Sequence, residues 1–123
     1  MKNVLIVDDQ AEVLRLYKRG LEVAGYRVTT AETVEAGMVL IESEKPDAVL
    51  VDLKMPYING MGMLYRLRKA HPKLPVAIIT GMQNLDKETL QEAAMLDATV
   101  HYKPLTIPQL QQVVLDLTTK SSQ

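Results

Sequence analysis

Short apolar runs that alternate with stretches of helical period are the feature that most restricts how this chain can fold. The runs at 4–7, 48–51 and 76–79 are almost uninterrupted and rich in Val and Ile. Strands with one wet face alternate apolar and polar residues. Continuous runs instead suit strands covered on both faces, as in a parallel sheet. A weaker run at 100–102 and the less apolar segment 27–31, better placed at an edge, bring the candidate strands to five.

The intervening stretches read as helices. Val13, Leu14, Tyr17, Leu21 and Ala24 recur at spacings of three and four, with Gly25 as a stop. Val34, Met38 and Ile41 carry a second helix that ends before Pro46, and Leu64 and Leu67 a third, closed by His71-Pro72. Asp86 is placed to cap a fourth with Leu90, Ala93 and Ala94 on its inner face. That face is thin, so this helix is expected to be loosely held. Thr106 with Gln109 three residues on has capping-box spacing, and Pro108 falls in the first turn, where its missing N–H costs nothing. Leu110, Val113, Val114 and Leu117 give this last helix its buried face. Alternating strands and helices, about five of each, predict a doubly wound α/β domain with helices on both faces of the sheet.

The 123 residues match one domain, expected over 1–120, with a polar ending from Thr118 of which 121–123 form a tail. A composition 47% hydrophobic and 24% charged suits a soluble protein with a real core. Fourteen Lys and Arg against 15 Asp and Glu leave a formal net charge of -1, which gives no general attraction to nucleic acid or anionic lipid. Direct nucleic-acid and membrane partners are therefore not expected. With no cysteine, disulfides, thiolate metal sites and thiol nucleophiles are excluded together, in keeping with a reducing cytoplasm. The first apolar run is cut off at once by Asp8 and Asp9, too early for a signal peptide or a span of about 20 apolar residues.

In an open α/β sheet, ligands bind beyond the carboxyl ends of the strands. The first strand delivers Asp8 and Asp9 there, the third Asp52, the fourth Thr80 before Gly81, and the fifth Lys103 before Pro104. Clustered carboxylates must raise one another's pKa or recruit a hard cation. Mg²⁺ suits such a site: it takes oxygen ligands and usually few protein carboxylates plus a phosphate oxygen. Lys103 and the Thr80 hydroxyl are then available to two further oxygens of a phosphoryl group, and Asp52 to attack phosphorus. Each residue also has a plain structural reading. Asp9 could cap the first helix, Thr80-Gly81 could be an ordinary turn, and Lys103 could be a solvated lysine. The joint pattern favours chemistry, because each feature ends a different strand in the same direction.

These residues resemble the receiver domain of two-component response regulators, and the resemblance covers essentially the whole chain. Asp8-Asp9 are similar to the family's metal-binding pair, and the segment from Val49 through Asp52 to Met55-Pro56, with Gly60 after it, to its phosphoacceptor segment. Thr80 matches the hydroxyl position and Lys103-Pro104 the lysine-proline step, typically cis in that family. The resemblance implies a flavodoxin-like five-stranded parallel sheet of order 2-1-3-4-5. It implies Asp52 as the phosphorylation site, and Mg²⁺ (or another divalent cation such as Mn²⁺) on Asp9, Asp52 and the backbone carbonyl of Lys54, with Asp8 helping through water. It also implies Thr80 and Lys103 at the phosphoryl group, self-catalysed phosphorylation from a phosphohistidine or small acyl phosphate, and slow hydrolysis. The expected partners are a histidine kinase or histidine phosphotransfer protein and a downstream output domain or target.

One departure concerns the switch. The family commonly has an aromatic residue three positions before the lysine, where this chain has Val100, with His101 and Tyr102 following. Segment 96–99 also lacks the usual glycine-alanine pair. Output is then expected to depend on the Thr80 loop and the fourth helix. Met55, Met61, Met63, Met82 and Met95 suit either a docking surface or packing. His71 reads as a helix-end residue and His101 as a surface residue. Two other functions compete: a receiver-like interaction module that works without phosphorylation, and an Mg-dependent phosphohydrolase. The module would lack an acid or the lysine, and neither is missing. The hydrolase would carry a second Asp two residues after the nucleophile, where this chain has Lys54.

Overall fold

The computed structural model describes residues 1–53, 60–82 and 85–121. Strands and helices alternate along the chain as β1 (Asn3–Val7), α1 (Ala11–Val23), β2 (Arg27–Ala31), α2 (Val34–Glu44) and β3 (Ala48–Val51). They continue as α3 (Gly60–Ala70), β4 (Val76–Thr80), α4 (Lys87–Met95), β5 (Ala98–Tyr102) and α5 (Ile107–Ser121). The sheet is parallel throughout, in the order β2-β1-β3-β4-β5. This is the doubly wound, flavodoxin-like arrangement expected from the alternation and the resemblance.

The continuous apolar runs are explained by the two cores they feed. Leu5, Val7, Val49, Val51 and Ile78 face one way, against α2, α3 and Ala93 of α4. Val4, Ile6, Leu50, Ala77 and Ile79 face the other, against Leu14, Tyr17 and Leu21 of α1 and Leu110, Val113, Val114 and Leu117 of α5. Burying each Val, Leu or Ile side chain among them contributes about 1.5–3 kcal/mol, which is why the central strands need no polar alternation. On the α2 side contact is unusually close. A Cβ built on Gly37 would lie 2.9 Å from Val7 Cγ2 and 3.1 Å from Met63 Cε.

Several local expectations are corrected. β5 begins at Ala98, two residues earlier than its apolar run, because Asp97 takes a left-handed backbone (φ 57°) that turns the chain into the strand. Asp tolerates that region better than most residues, so the turn forms without glycine. Ala24 is the exposed C-cap of α1, ahead of Gly25 at φ 97°. The plain structural alternative for Asp9, a cap on α1, does not hold: Gln10 is the N-cap residue, and its backbone N–H donates to Asp8 Oδ1. The polar ending is helical through Ser121: Thr118 is buried and its hydroxyl donates to the Val114 carbonyl at 2.9 Å.

α4 is as thin on its inner face as its sequence suggests, and thinner than expected at two positions, Leu90 and Ala94, which are exposed. Leu90 is 38% exposed and Ala93 is the buried residue of the helix. Polar ties supply much of what apolar contact does not. The Asp86 carboxylate accepts the Thr89 N–H at 2.7 Å as N-cap, and the Tyr65 hydroxyl of α3 donates to the Glu92 carboxylate at 2.7 Å. Beyond the C-terminus of α4, the Arg68 guanidinium donates to the Leu96 and Asp97 carbonyls. It also donates to those of His71 (3.2 Å) and Leu74 (2.6 Å) after its own helix.

Candidate functional site

β1 and β3 are neighbours with Val7 opposite Val51, so the residues that follow each strand emerge side by side. Those residues are Asp8 and Asp52. The Asp8 N–H donates to the Ala31 carbonyl and the Asp52 N–H to the Val7 carbonyl, both at 3.0 Å, which fixes the two backbones at the rim. Both side chains are buried, at 3% and 5% exposure, while Asp9 is exposed. The carboxylates of Asp8, Asp9 and Asp52 each offer an oxygen within 4.8 Å of the others. Three anions at that separation repel unless cations offset them.

Part of the offset is built in. Lys103 follows β5, and its N–H donates to the Thr80 carbonyl at 2.8 Å, which holds its backbone at the end of β4. Its peptide bond to Pro104 is cis, as the resemblance implied. Its ammonium donates to Asp8 Oδ2 at 2.7 Å, to Gln10 Oε1 at 3.1 Å and to Asp52 Oδ2 at 3.3 Å. Burial alone would lower the Lys103 pKa. The hydrogen bond and charge of Asp8, joined by the charge of Asp52, outweigh that and hold it above its ordinary value of 10.5. Beneath the rim the Tyr17 phenol is pushed up by burial, an effect that nearby Lys103 partly offsets.

Of the residues singled out in the sequence, Asp8, Asp9, Asp52 and Lys103 therefore form one contiguous cluster. Thr80 ends the adjacent strand and is fully buried, and its hydroxyl accepts the Met82 N–H at 3.0 Å. The Lys54 carbonyl and Met55 lie outside the described residues. Met63 is a core residue, whereas Met82 and Met95 are exposed. His71 pairs with Glu42 of α2 at 3.0 Å. His101 is half-buried, 2.9 Å from the Thr99 hydroxyl, and burial lowers its pKa against the opposing charge of Asp116. Val100 is half-buried against the core that contains Ala93, and Tyr102 is exposed.

The three oxygen-donor carboxylates suit a hard divalent cation, since each offers an oxygen within 4.8 Å of the others and Asp9 is open to solvent. A concavity of about 620 Å³ elsewhere, between the α3–β4 turn, β5 and α5, is lined by Arg68, Lys73, Thr99, His101 and Asp116. It holds none of the acid cluster, and the Arg68 donors at its wall are engaged by carbonyls. The sequence reading missed Gln10, whose only signal is its place beside the acid pair. It also missed Arg68, whose partners are scattered over some thirty positions and leave no local pattern.

Fold and rim together define a class in which a strand-end carboxylate cluster is paired with a lysine, and comparison with known proteins agrees. The family model of the response regulator receiver domain matches residues 4–115, and the chain belongs to that family. The chain is similar to the DNA-binding transcriptional regulator NtrC of Salmonella typhimurium, 35% identical over 83 residues, which are 68% of this chain and 18% of that one. It is also similar to the transcriptional regulatory protein PrrA of Mycobacterium tuberculosis, 31% identical over 83 residues, or 68% of this chain and 36% of that one. The chain thus spans a minor part of these curated relatives. Among solved structures, a CheY-like response regulator receiver domain protein from Methanospirillum hungatei superposes with a TM-score of 0.92 at 28% identity, covering 99% of this chain and 97% of the other. Among the described residues, no helix is long and apolar enough to cross a membrane.

Proposed function

We propose that this receiver domain works by phosphorylation at Asp52, with a histidine kinase or a histidine phosphotransfer protein as donor. The supporting observation is the Lys103 ammonium bridging Asp8 and Asp52 at the edge of a three-carboxylate cluster. An Asp52 carboxylate oxygen attacks phosphorus, a P–O bond forms, the P–N bond of the phosphohistidine breaks, and the imidazole leaves with the bonding pair. Lys103 turns to the arriving phosphoryl oxygens and neutralises part of their charge, and the Thr80 hydroxyl, which accepts the Met82 N–H, has its own O–H to donate to another. Asp8, Asp9, Asp52 and the Lys54 carbonyl would hold Mg²⁺ or Mn²⁺. When bound, the cation supplies charge neutralisation for the entering phosphoryl group. Water attacking phosphorus, with the P–O bond to Asp52 breaking and inorganic phosphate leaving, gives slow self-hydrolysis that restores the Asp52 carboxylate, and no turnover of a separate substrate is involved.

The readout passes to a downstream output domain or target. Val100 can neither hydrogen-bond nor swing a ring, so the signal runs through the Thr80 turn and α4, whose small apolar seat suits a two-state element. Incubation with acetyl phosphate and Mg²⁺ tests the reading by mass spectrometry. One phosphoryl group per chain should appear, stable to acid and labile to alkali, and Asp52→Asn should abolish it. An adduct that survives Asp52→Asn, or catalytic release of phosphate without an adduct, would overturn it.

A further inference from the structure

We infer that Gln10 is a positioning residue for phosphoryl transfer: its side-chain carboxamide oxygen holds the Lys103 ammonium over the acid pair without adding charge. The inference rests on the proposed phosphorylation of Asp52. An ammonium has three N–H donors, and Lys103 spends them on Asp8 at 2.7 Å, Gln10 at 3.1 Å and Asp52 at 3.3 Å. The longest of these is the one to the nucleophile, and it is the bond given up when a phosphoryl oxygen takes its place. The two that remain fix the ammonium as a pivot. With Asp8 alone, the flexible four-carbon stem of Lys103 would be free to swing around a single contact.

Gln10 is itself well anchored for this task. Its N–H donates to Asp8 Oδ1 at 2.9 Å, and its carbonyl accepts the Leu14 N–H at 3.1 Å, so its side chain leaves from a backbone fixed at both ends. Its neutrality matters as much as its reach. Asp8, Asp9 and Asp52 already gather three negative charges within a few ångströms, and an entering phosphoryl group adds more. A carboxylate in place of the Gln10 amide, the fourth in the cluster, would hold the lysine as well and repel the incoming anion. An amide oxygen holds it with no such penalty.

Two variants separate these effects. Gln10→Met keeps the length of the side chain and removes the oxygen; Gln10→Glu keeps an oxygen and adds charge. Three quantities are read in each: the phosphorylation rate with acetyl phosphate at saturating Mg²⁺, the Mg²⁺ Kd from amide-resonance titration, and the Lys103 Cε–Hε signals of the metal-free protein. Gln10→Met should slow phosphorylation about five-fold, leave the Mg²⁺ Kd within about two-fold, and merge the two Hε signals that an immobilised lysine keeps distinct. Gln10→Glu should keep the Hε signals distinct, tighten Mg²⁺ binding, and still phosphorylate more slowly than wild type. Wild-type rate in Gln10→Met, unchanged Lys103 signals, or a matching loss of Mg²⁺ affinity would each overturn the role. Failure of the wild-type chain to take up any phosphoryl group sinks the proposed function and this role together. Wild-type uptake with an unaltered Gln10→Met rate sinks the role alone.

Discussion

α4 and α5 flank the same edge strand and are held in place by opposite means. α5 buries Leu110, Val113, Val114 and Leu117 against α1 and the sheet, and its N-terminus is closed by Thr106 and Gln109 in a reciprocal pair of hydrogen bonds. Among the described residues, α4 buries Ala93, is capped within its own first turn by Asp86, and is tied to its surroundings by the Tyr65–Glu92 bond and the Arg68 guanidinium on the turn behind it. Apolar burial is non-directional and scales with area, so α5 can leave only at the cost of the common core. Polar ties are few, local and exchangeable with water, so α4 can shift while the core stays intact. The acid cluster and Lys103 are mounted on β1, β3 and the β5–α5 connection, on the firmly packed side. The element proposed to carry the signal lies on the loosely held side.

This contrast can be tested by disturbing each helix in turn. The largest effect is expected from Leu110→Ala, a fully buried truncation in α5 that should cost about 3 kcal/mol of global stability. Urea unfolding should show a lower midpoint with the slope retained, and the loss should be shared by all probes. Arg68→Met should cost less, about 2 kcal/mol, because it strips charged donors from carbonyls at the α4–β5 turn. Its hydrogen-exchange increase should be concentrated in α4 and the following turn. A uniform increase across α1, α5 and the sheet would mean that α4 is not a separate unit.

The smallest effect is electrostatic and confined to one helix end. The hydrogen bonds that Asp86 accepts from Thr89 hold its carboxyl below its ordinary value of 3.8. A lowered folded-state pKa stabilises above the unfolded value, and that contribution is lost as pH falls through the folded one. The Thr89 amide proton should therefore titrate with a midpoint under 3.8, while the Gln109 amide at the uncharged Thr106 cap of α5 stays flat over the same range. Equal titration at both caps would remove this difference between the helices.

What could be read from the residues alone follows the same division. β3 was legible to the residue because it is apolar throughout and bounded by polar neighbours, and the acid pair, Asp52 and Lys103 were legible because each ends a strand. α5 was legible from its capping box and its period. Where packing is sparse, the sequence misled: Leu90 and Ala94 look like core positions of α4, and both are exposed. The start of β5 was hidden because Asp97 does the work of a glycine. Gln10 and Arg68 act through partners far away in the chain, and periodicity carries no trace of such contacts.

One residue without any functional group sets a condition on the charged rim. At Gly37 the helix backbone rides so low over the first strand that even a methyl would collide with Val7, the residue just before Asp8. Any bulkier occupant must jack the helix upward or press the strand down, and the end of that strand is the platform on which the acids stand. The placement of the Asp8–Asp9 pair is thus governed in part by the volume left empty some thirty positions further along the chain.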